Sequence, residues 1–302
     1  MSHHQPVQVT YASKQVDIPD GFLVKPAPDS KPITFKQMDW AETVLPEYAG
    51  AYAVVLDNVL SPSECKMLLA LAEKSVPEED RVPETLLTSW RPAMVNIGGG
   101  YEILEPTYRN SDRIVWDHQE LMNRLWDNRL SKGSLLGYPP PTHWDHVQRK
   151  YIPDDPATVP RWDFVRMNKR MRFLRYGPGQ FFRAHCDGAY TERDAETVDL
   201  TTHFTLQLYL NDSHGAALEK GRHTNNSDEA ETGGGGGGLV GGATSFLSND
   251  ETRKIDVHPR AGRVLIFQHK RLYHAGDDVL QGVKYAMRAE LMYRRVVPQE
   301  SG

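Results

Sequence analysis

From about residue 170 onward the chain breaks into short apolar or alternating runs: MRFLRY, FFRAHCD, HFTLQLYLN, ATSFL, KIDVHP, RVLIFQH and YAMRAELMYRR. Each has the length of a strand and is bounded by Gly, Pro, Asn or Asp, and no helical period interrupts the series. Closely spaced strands of this kind predict an antiparallel sandwich or barrel of the jelly-roll kind, as a cupin-like double-stranded β-helix would be.

The pattern before residue 170 is different. AYAVVLDNVL reads as a strand and leads into SPSECKMLLALAEKS. There Ser61 suits the N-cap, Pro62 the first helical position and Glu64 the capping box, with Met67, Leu68 and Leu71 as the buried stripe. A second helix is expected over DHQELMNRLWDNRL, where Leu121, Leu125 and Trp126 share one side. RPAMVNIGGGYEILEPTYRN and LGYPPPTHWDHVQRKYIPDDPATVP read as long loops bordering a site. The fold class is therefore mainly β with supporting helices (α+β). Residues 1–47 form an N-terminal arm and 48–298 a single domain, with helical support over 48–165 and the jelly-roll core over 166–298. Residues 213–242 form a mobile insertion, because NNSDEAETGGGGGGLVGG offers too little apolar surface to offset the cost of ordering it.

Charge narrows the function classes. The 302 residues carry a net charge of -5, which argues against bulk nucleic-acid binding. No apolar run approaches the roughly 18 residues of a membrane span, and MSHHQPVQVT lacks the order of a signal peptide. A cytoplasmic or otherwise intracellular location is the expectation. Two cysteines, Cys65 and Cys186, are too few for a disulfide framework.

The candidate chemistry lies in FFRAHCDGAY. Residues i and i+2 of a strand share a face, so His185 and Asp187 are expected to point together into the barrel, with Cys186 facing away as a packed, inert thiol. A similar cluster, His143, Asp145 and His146, falls in a proline-rich segment with no evident element to fix its geometry. A third ligand must come from a distant strand, and RVLIFQHKRLYHAG offers His269 in mid-run and His274 at a rim, the latter favoured. Two imidazoles and one carboxylate match the facial triad of non-haem Fe(II) oxygenases, and zinc could bind the same groups. Lys284 and Arg288 share a strand parity, and an inward cation beside an open iron site implies an anionic co-substrate.

At this point residues 170–295 resemble the Fe(II)/2-oxoglutarate dioxygenases, within them the prolyl-4-hydroxylase-like group. The likeness rests on FLRYGPGQFFRAHCDGAY, on TLQLYLN with GGATSFL, and on VLIFQHKRLYHAGDDVLQGVKYAMRAEL, in that order. It implies Fe(II) at His185, Asp187 and His274, with Lys284 or Arg288 on the distal carboxylate of 2-oxoglutarate. It also implies a hydrogen bond from Tyr176 to that co-substrate, O2 as the second co-substrate, and ascorbate as an accessory. The implied reaction hydroxylates a prolyl or other amino-acid residue, or a small metabolite, while 2-oxoglutarate is decarboxylated to succinate. Presence of Asp187 disfavours halogenation. The missing signal peptide and the long insertion depart from the collagen-type enzymes and leave the prolyl substrate open.

Arg109 and Trp90 are candidate substrate contacts, and loops 90–110 and 213–242 are expected to edge the pocket. Small-molecule, peptide or protein substrates are the expected partners. Two other classes are weighed against this reading: a metal-binding cupin-like isomerase or hydrolase without 2-oxoglutarate, and a non-catalytic interaction module.

Overall fold

The structure is a computed structural model and describes residues 5–80, 89–131, 143–145, 150–151, 161–193, 199–216 and 238–296, with the backbone alone at 79, 143–145, 150–151 and 161. Every strand anticipated after residue 170 is present: Arg170–Tyr176, Phe181–His185, Leu200–Tyr209, Thr244–Leu247, Lys254–Val257, Val264–Gln268 and Lys284–Val296. Two antiparallel sheets enclose the barrel. The larger has Lys284–Val296 between Arg161–Met167 and Leu200–Tyr209, then Val264–Gln268, Ala53–Asp57 and Thr34–Gln37. The smaller runs Lys254–Val257, Thr244–Leu247, His274–Gly276, Phe181–His185 and Arg109–Asn110.

The two-residue period of the larger sheet separates core from site. Phe204, Leu206 and Leu208, with Met287, Ala289 and Leu291 on the neighbouring strand, join the apolar cluster that holds the helix residues Leu68, Leu71, Leu121 and Leu125. Thr205, Gln207, Lys284 and Arg288 alternate with them and line the cleft between the sheets. The strands are paired so that Gln207 opposes Arg288 and Thr205 opposes Glu290, which gathers the polar positions into one strip. A second apolar cluster, including Trp40, Phe246, Leu265 and Phe267, fills the remaining space.

The helix Pro62–Lys74 begins as the sequence indicates. Ser61 Oγ accepts the Glu64 N–H at 3.1 Å, and Glu64 Oε2 accepts the Ser61 N–H at 2.8 Å. Its buried stripe differs, because Met67 is exposed while Cys65, Leu68, Leu71 and Ala72 face the sheet. Glu64 also takes up Arg129 at 2.9 Å, a buried ion pair that ties this helix to the end of the second helical segment. That segment is α-helical over Gln119–Leu125, capped by the His118 ring, and widens to a π-helical turn over Trp126–Leu130.

Two expected irregular regions are ordered. Thr34–Gln37, placed in the surface arm, pairs with Ala53–Asp57 as an edge strand, and Trp40 and Leu45 behind it are fully buried. The stretch from Arg91 to Asn110 holds short strands, including the Val95–Gly98 and Tyr101–Ile103 hairpin, rather than one long loop. Most of the insertion, residues 217–237, lies outside the described residues. Its end is described: Val240–Gly241 pairs with Val279–Gln281.

Candidate active site

His185 ends its strand and is paired in register with His274, the first residue of the opposing strand. The two rings lie 4.5 Å apart between centroids. Asp187 follows just past the strand end, and its carboxylate meets both rings, with Oδ1 3.6 Å from His185 Nε2 and Oδ2 3.8 Å from His274 Nε2. One donor atom from each of the three residues falls within 4.8 Å of the others, and they are the one such group of three among the described residues.

The surroundings prepare these groups as ligands. His185 Nδ1 is 2.8 Å from the Arg183 carbonyl and His274 Nδ1 is 3.0 Å from the Leu272 carbonyl. A ring that donates Nδ1–H to a carbonyl is fixed in orientation and tautomer, and its Nε2 lone pair is left to bind a cation. Burial pushes the His274 imidazole down to about 4, against the opposing pull of Asp187, so it is neutral near pH 7. Burial acts to raise Asp187, but Arg288 and the neighbouring imidazoles overcome it and hold the carboxyl well below the usual range. Two imidazoles and an ionised carboxylate suit a divalent metal with open coordination positions.

The cations beyond the triad are in unlike situations. Arg288 Nη2 is 2.9 Å from Asp187 Oδ1 and 3.6 Å from Glu290 Oε1, so it is committed to two carboxylates. Glu290 is further held by Arg172 at 2.8 Å and by Asn168 at 3.0 Å. Lys284 is 2% exposed and has no carboxylate within ion-pairing distance among the described residues. Its ammonium stands 5.2 Å from the Tyr176 ring centroid and 5.7 Å from that of Tyr209. Desolvation pushes it down to about 8, only partly offset by Asp277, which is itself paired with Lys254 at 2.7 Å. Gly242, at φ +70, leaves the space this side chain needs, since a Cβ there would come 3.2 Å from Lys284 Cδ.

The cleft is lined by Arg109, Tyr176, Thr205, Lys284 and Arg288 together with the triad. Of the residues singled out from the sequence, Tyr176, Arg109, Lys284 and Arg288 are thus brought to one cleft. Trp90 is not among the lining residues; its indole N–H donates to Glu73 at 2.8 Å and its ring packs on Tyr285. His269 is 1% exposed with neither ring nitrogen hydrogen-bonded, and it stands outside the metal-ligand cluster. Cys186 is exposed rather than packed, because the strand ends at His185 before it. The side chains of His143 and Asp145, and all of His146, lie outside the described residues.

Sequence reasoning passed over Thr205 and Thr244. Thr205 Oγ1 donates to Asp187 Oδ2 at 2.5 Å, and Thr244 Oγ1, on the cleft lining, accepts the Tyr209 hydroxyl at 2.7 Å. The signal was the i, i+2 spacing of Thr205, Gln207 and Tyr209, which puts polar groups on the barrel face of an apolar strand.

Residues 171–289 match the family described as the 2OG-Fe(II) oxygenase superfamily, a span that includes the triad, Lys284 and Arg288. This barrel segment belongs to that superfamily. The fold is its jelly roll, the oxygenase's cofactor is Fe(II) and its co-substrate 2-oxoglutarate. No curated protein matches the chain in sequence. Among solved structures, a Pseudomonas putida prolyl-4-hydroxylase is 15% identical with a TM-score of 0.44, covering 81% of this chain and 95% of its own. A viral collagen prolyl hydroxylase from Paramecium bursaria Chlorella virus-1 is 19% identical with a TM-score of 0.42, covering 82% and 98%. A Trichoplax adhaerens prolyl hydroxylase, in complex with a hypoxia inducible factor peptide fragment, is 15% identical with a TM-score of 0.43, covering 79% and 82%. No described helix of the oxygenase is long and apolar enough to cross a membrane.

Proposed function

We propose that the protein is a hydroxylase that couples oxidation of an amino-acid residue, prolyl or other, or of a small metabolite, to decarboxylation of 2-oxoglutarate to succinate. His185 and His274 would hold Fe(II) through Nε2, and Asp187 through one carboxylate oxygen. Bound there with O2 and 2-oxoglutarate, the metal supplies the oxidising chemistry that converts C–H to C–OH.

The chain's own residues bind and orient. Lys284 is assigned to the distal carboxylate of 2-oxoglutarate, because a buried ammonium with no counter-ion is costly and a dicarboxylate arriving beside it relieves that cost. Tyr176, the register partner of Lys284, and Thr244, on the facing sheet, both line the cleft and can donate hydroxyl protons to that carboxylate. Arg288 and Thr205 hold the two oxygens of Asp187, which keeps the carboxylate ionised and oriented. The observation that carries this reading is the juxtaposition in one cleft of a metal-ready triad and an unpaired buried lysine.

The test is succinate release with peptides, amino acids and small metabolites supplied in turn. Turnover should require Fe(II) and vanish in His274→Ala; undiminished turnover in that variant would remove the third-ligand assignment.

A further inference from the structure

Arg109, a candidate substrate contact from the sequence, is a second buried cation that takes no part in holding the metal or 2-oxoglutarate. It is 7% exposed and lines the cleft, yet no carboxylate lies within ion-pairing distance of it among the described residues. Its protein hydrogen bonds are two at the outer limit, 3.5 Å to Ser111 Oγ and 3.5 Å to the Met94 carbonyl. A guanidinium carries five donors, so most of its hydrogen-bonding capacity faces the cleft unmet. Burial pushes it down to about 10, which leaves it charged near pH 7.

Position ties this charge to the metal-ligand cluster. Arg109 is the register partner of Phe182 on the strand that ends in His185. The guanidinium carbon lies 4.6 Å from the Phe182 ring centroid, and that ring stacks on His185 with centroids 3.9 Å apart. Arg109 is therefore held on an aromatic support next to one ligand, on the smaller sheet, while Lys284 enters the same cleft from the facing larger sheet.

Charge balance says what the cleft still lacks. Its lining carries three cations, Arg109, Lys284 and Arg288, and one carboxylate, Asp187. A divalent metal and a doubly charged 2-oxoglutarate cancel each other, so a surplus of two positive charges persists with both bound. An excess of that kind in a desolvated cleft is satisfied by an anion.

We infer that the primary substrate carries a carboxylate, received by Arg109 as a bidentate pair, with the oxidised carbon close to that group. The inference rests on the oxygenase reading, in which Lys284 and not Arg109 takes the co-substrate. A guanidinium fork matches the planar carboxylate, and the Phe182 face fixes its plane.

The experiment uses the full chain loaded with Co(II), saturated with 2-oxoglutarate, and propionate as the probe with propionamide as its uncharged counterpart. Paramagnetic relaxation of the probe's methyl protons reads binding near the metal. Propionate should show saturable relaxation at millimolar concentrations and propionamide should not. Arg109→Gln should weaken the propionate effect at least tenfold, while Arg109→Lys keeps part of it. Equal relaxation by the amide, an unchanged effect in Arg109→Gln, or no propionate effect in the unmutated chain would overturn the inference. So would a propionate effect seen only when 2-oxoglutarate is left out and lost when it is supplied, because the probe would then be occupying the Lys284 position. Failure of 2-oxoglutarate to alter the Co(II) visible spectrum would instead count against the oxygenase reading itself.

Discussion

His185 and His274 face each other as register partners across antiparallel strands, although 89 positions separate them in the chain (274 minus 185). Each is tied through Nδ1 to the carbonyl two residues before it, so the pairing of two short strands sets both Nε2 atoms against one carboxylate. Removing either ring takes away a ligand rather than an accessory. His274→Ala is expected to weaken Co(II) binding, followed by visible absorption, by more than the roughly 10–100-fold typical of losing an outer partner.

Thr205 and Arg288 are such outer partners. Thr205→Val should lower metal affinity about tenfold with little change in KM for 2-oxoglutarate. Arg288→Gln should likewise act on metal affinity first, because its guanidinium is spent on Asp187 and Glu290. A rise in KM for 2-oxoglutarate with unchanged metal binding in Arg288→Gln would reassign the co-substrate cation. Metal titrations and steady-state kinetics on the same preparations separate these outcomes.

The barrel was legible because its strands alternate cleanly. On Lys284–Val296 the apolar set Met287, Ala289 and Leu291 and the barrel-facing set Lys284, Arg288 and Glu290 follow a period of two, so strand, face and inward cations were readable together. The contacts of Arg288 with Asp187 and Glu290 were not, since strand parity places a side chain on a face without saying which neighbour it meets. Asp187 drew Arg288 by lying past the end of its strand, within reach of the large sheet. Trp90 failed as a cleft residue for a related reason. Its neighbours Glu73 and Tyr285 come from a helix and a distant strand, and no local pattern announces that packing. The edge strand Thr34–Gln37 was hidden in a proline-rich stretch whose partner, Ala53–Asp57, supplies the apolar signal for both.

The buried lysine gives a pH signature. Lys284 titrates near 8, so its ammonium is present below that pH and lost above it. KM for 2-oxoglutarate should be flat toward pH 7 and climb as pH passes 8, approaching tenfold per unit. In Lys284→Arg the climb should disappear, since a guanidinium stays charged across that range. Initial rates at several pH values and saturating metal would show it.

Stability has its own test away from the cleft. Glu64 joins the helix cap to buried Arg129, with side chains 5% and 7% exposed. Glu64→Ala removes the capping partner and strands a guanidinium in the interior, so a loss of about 3–5 kcal/mol is expected in urea unfolding. Glu120→Ala, which breaks only the exposed i, i+4 pair with Arg124, should cost less than about 1 kcal/mol.

The most direct test of the account is anaerobic titration of the Fe(II)-loaded protein with 2-oxoglutarate, followed by visible absorption. A saturable metal-to-ligand band should appear in the unmutated chain, require about tenfold or more additional 2-oxoglutarate in Lys284→Ala, and be absent in His274→Ala. No band in the unmutated chain, or a band unaffected by losing His274, would contradict it.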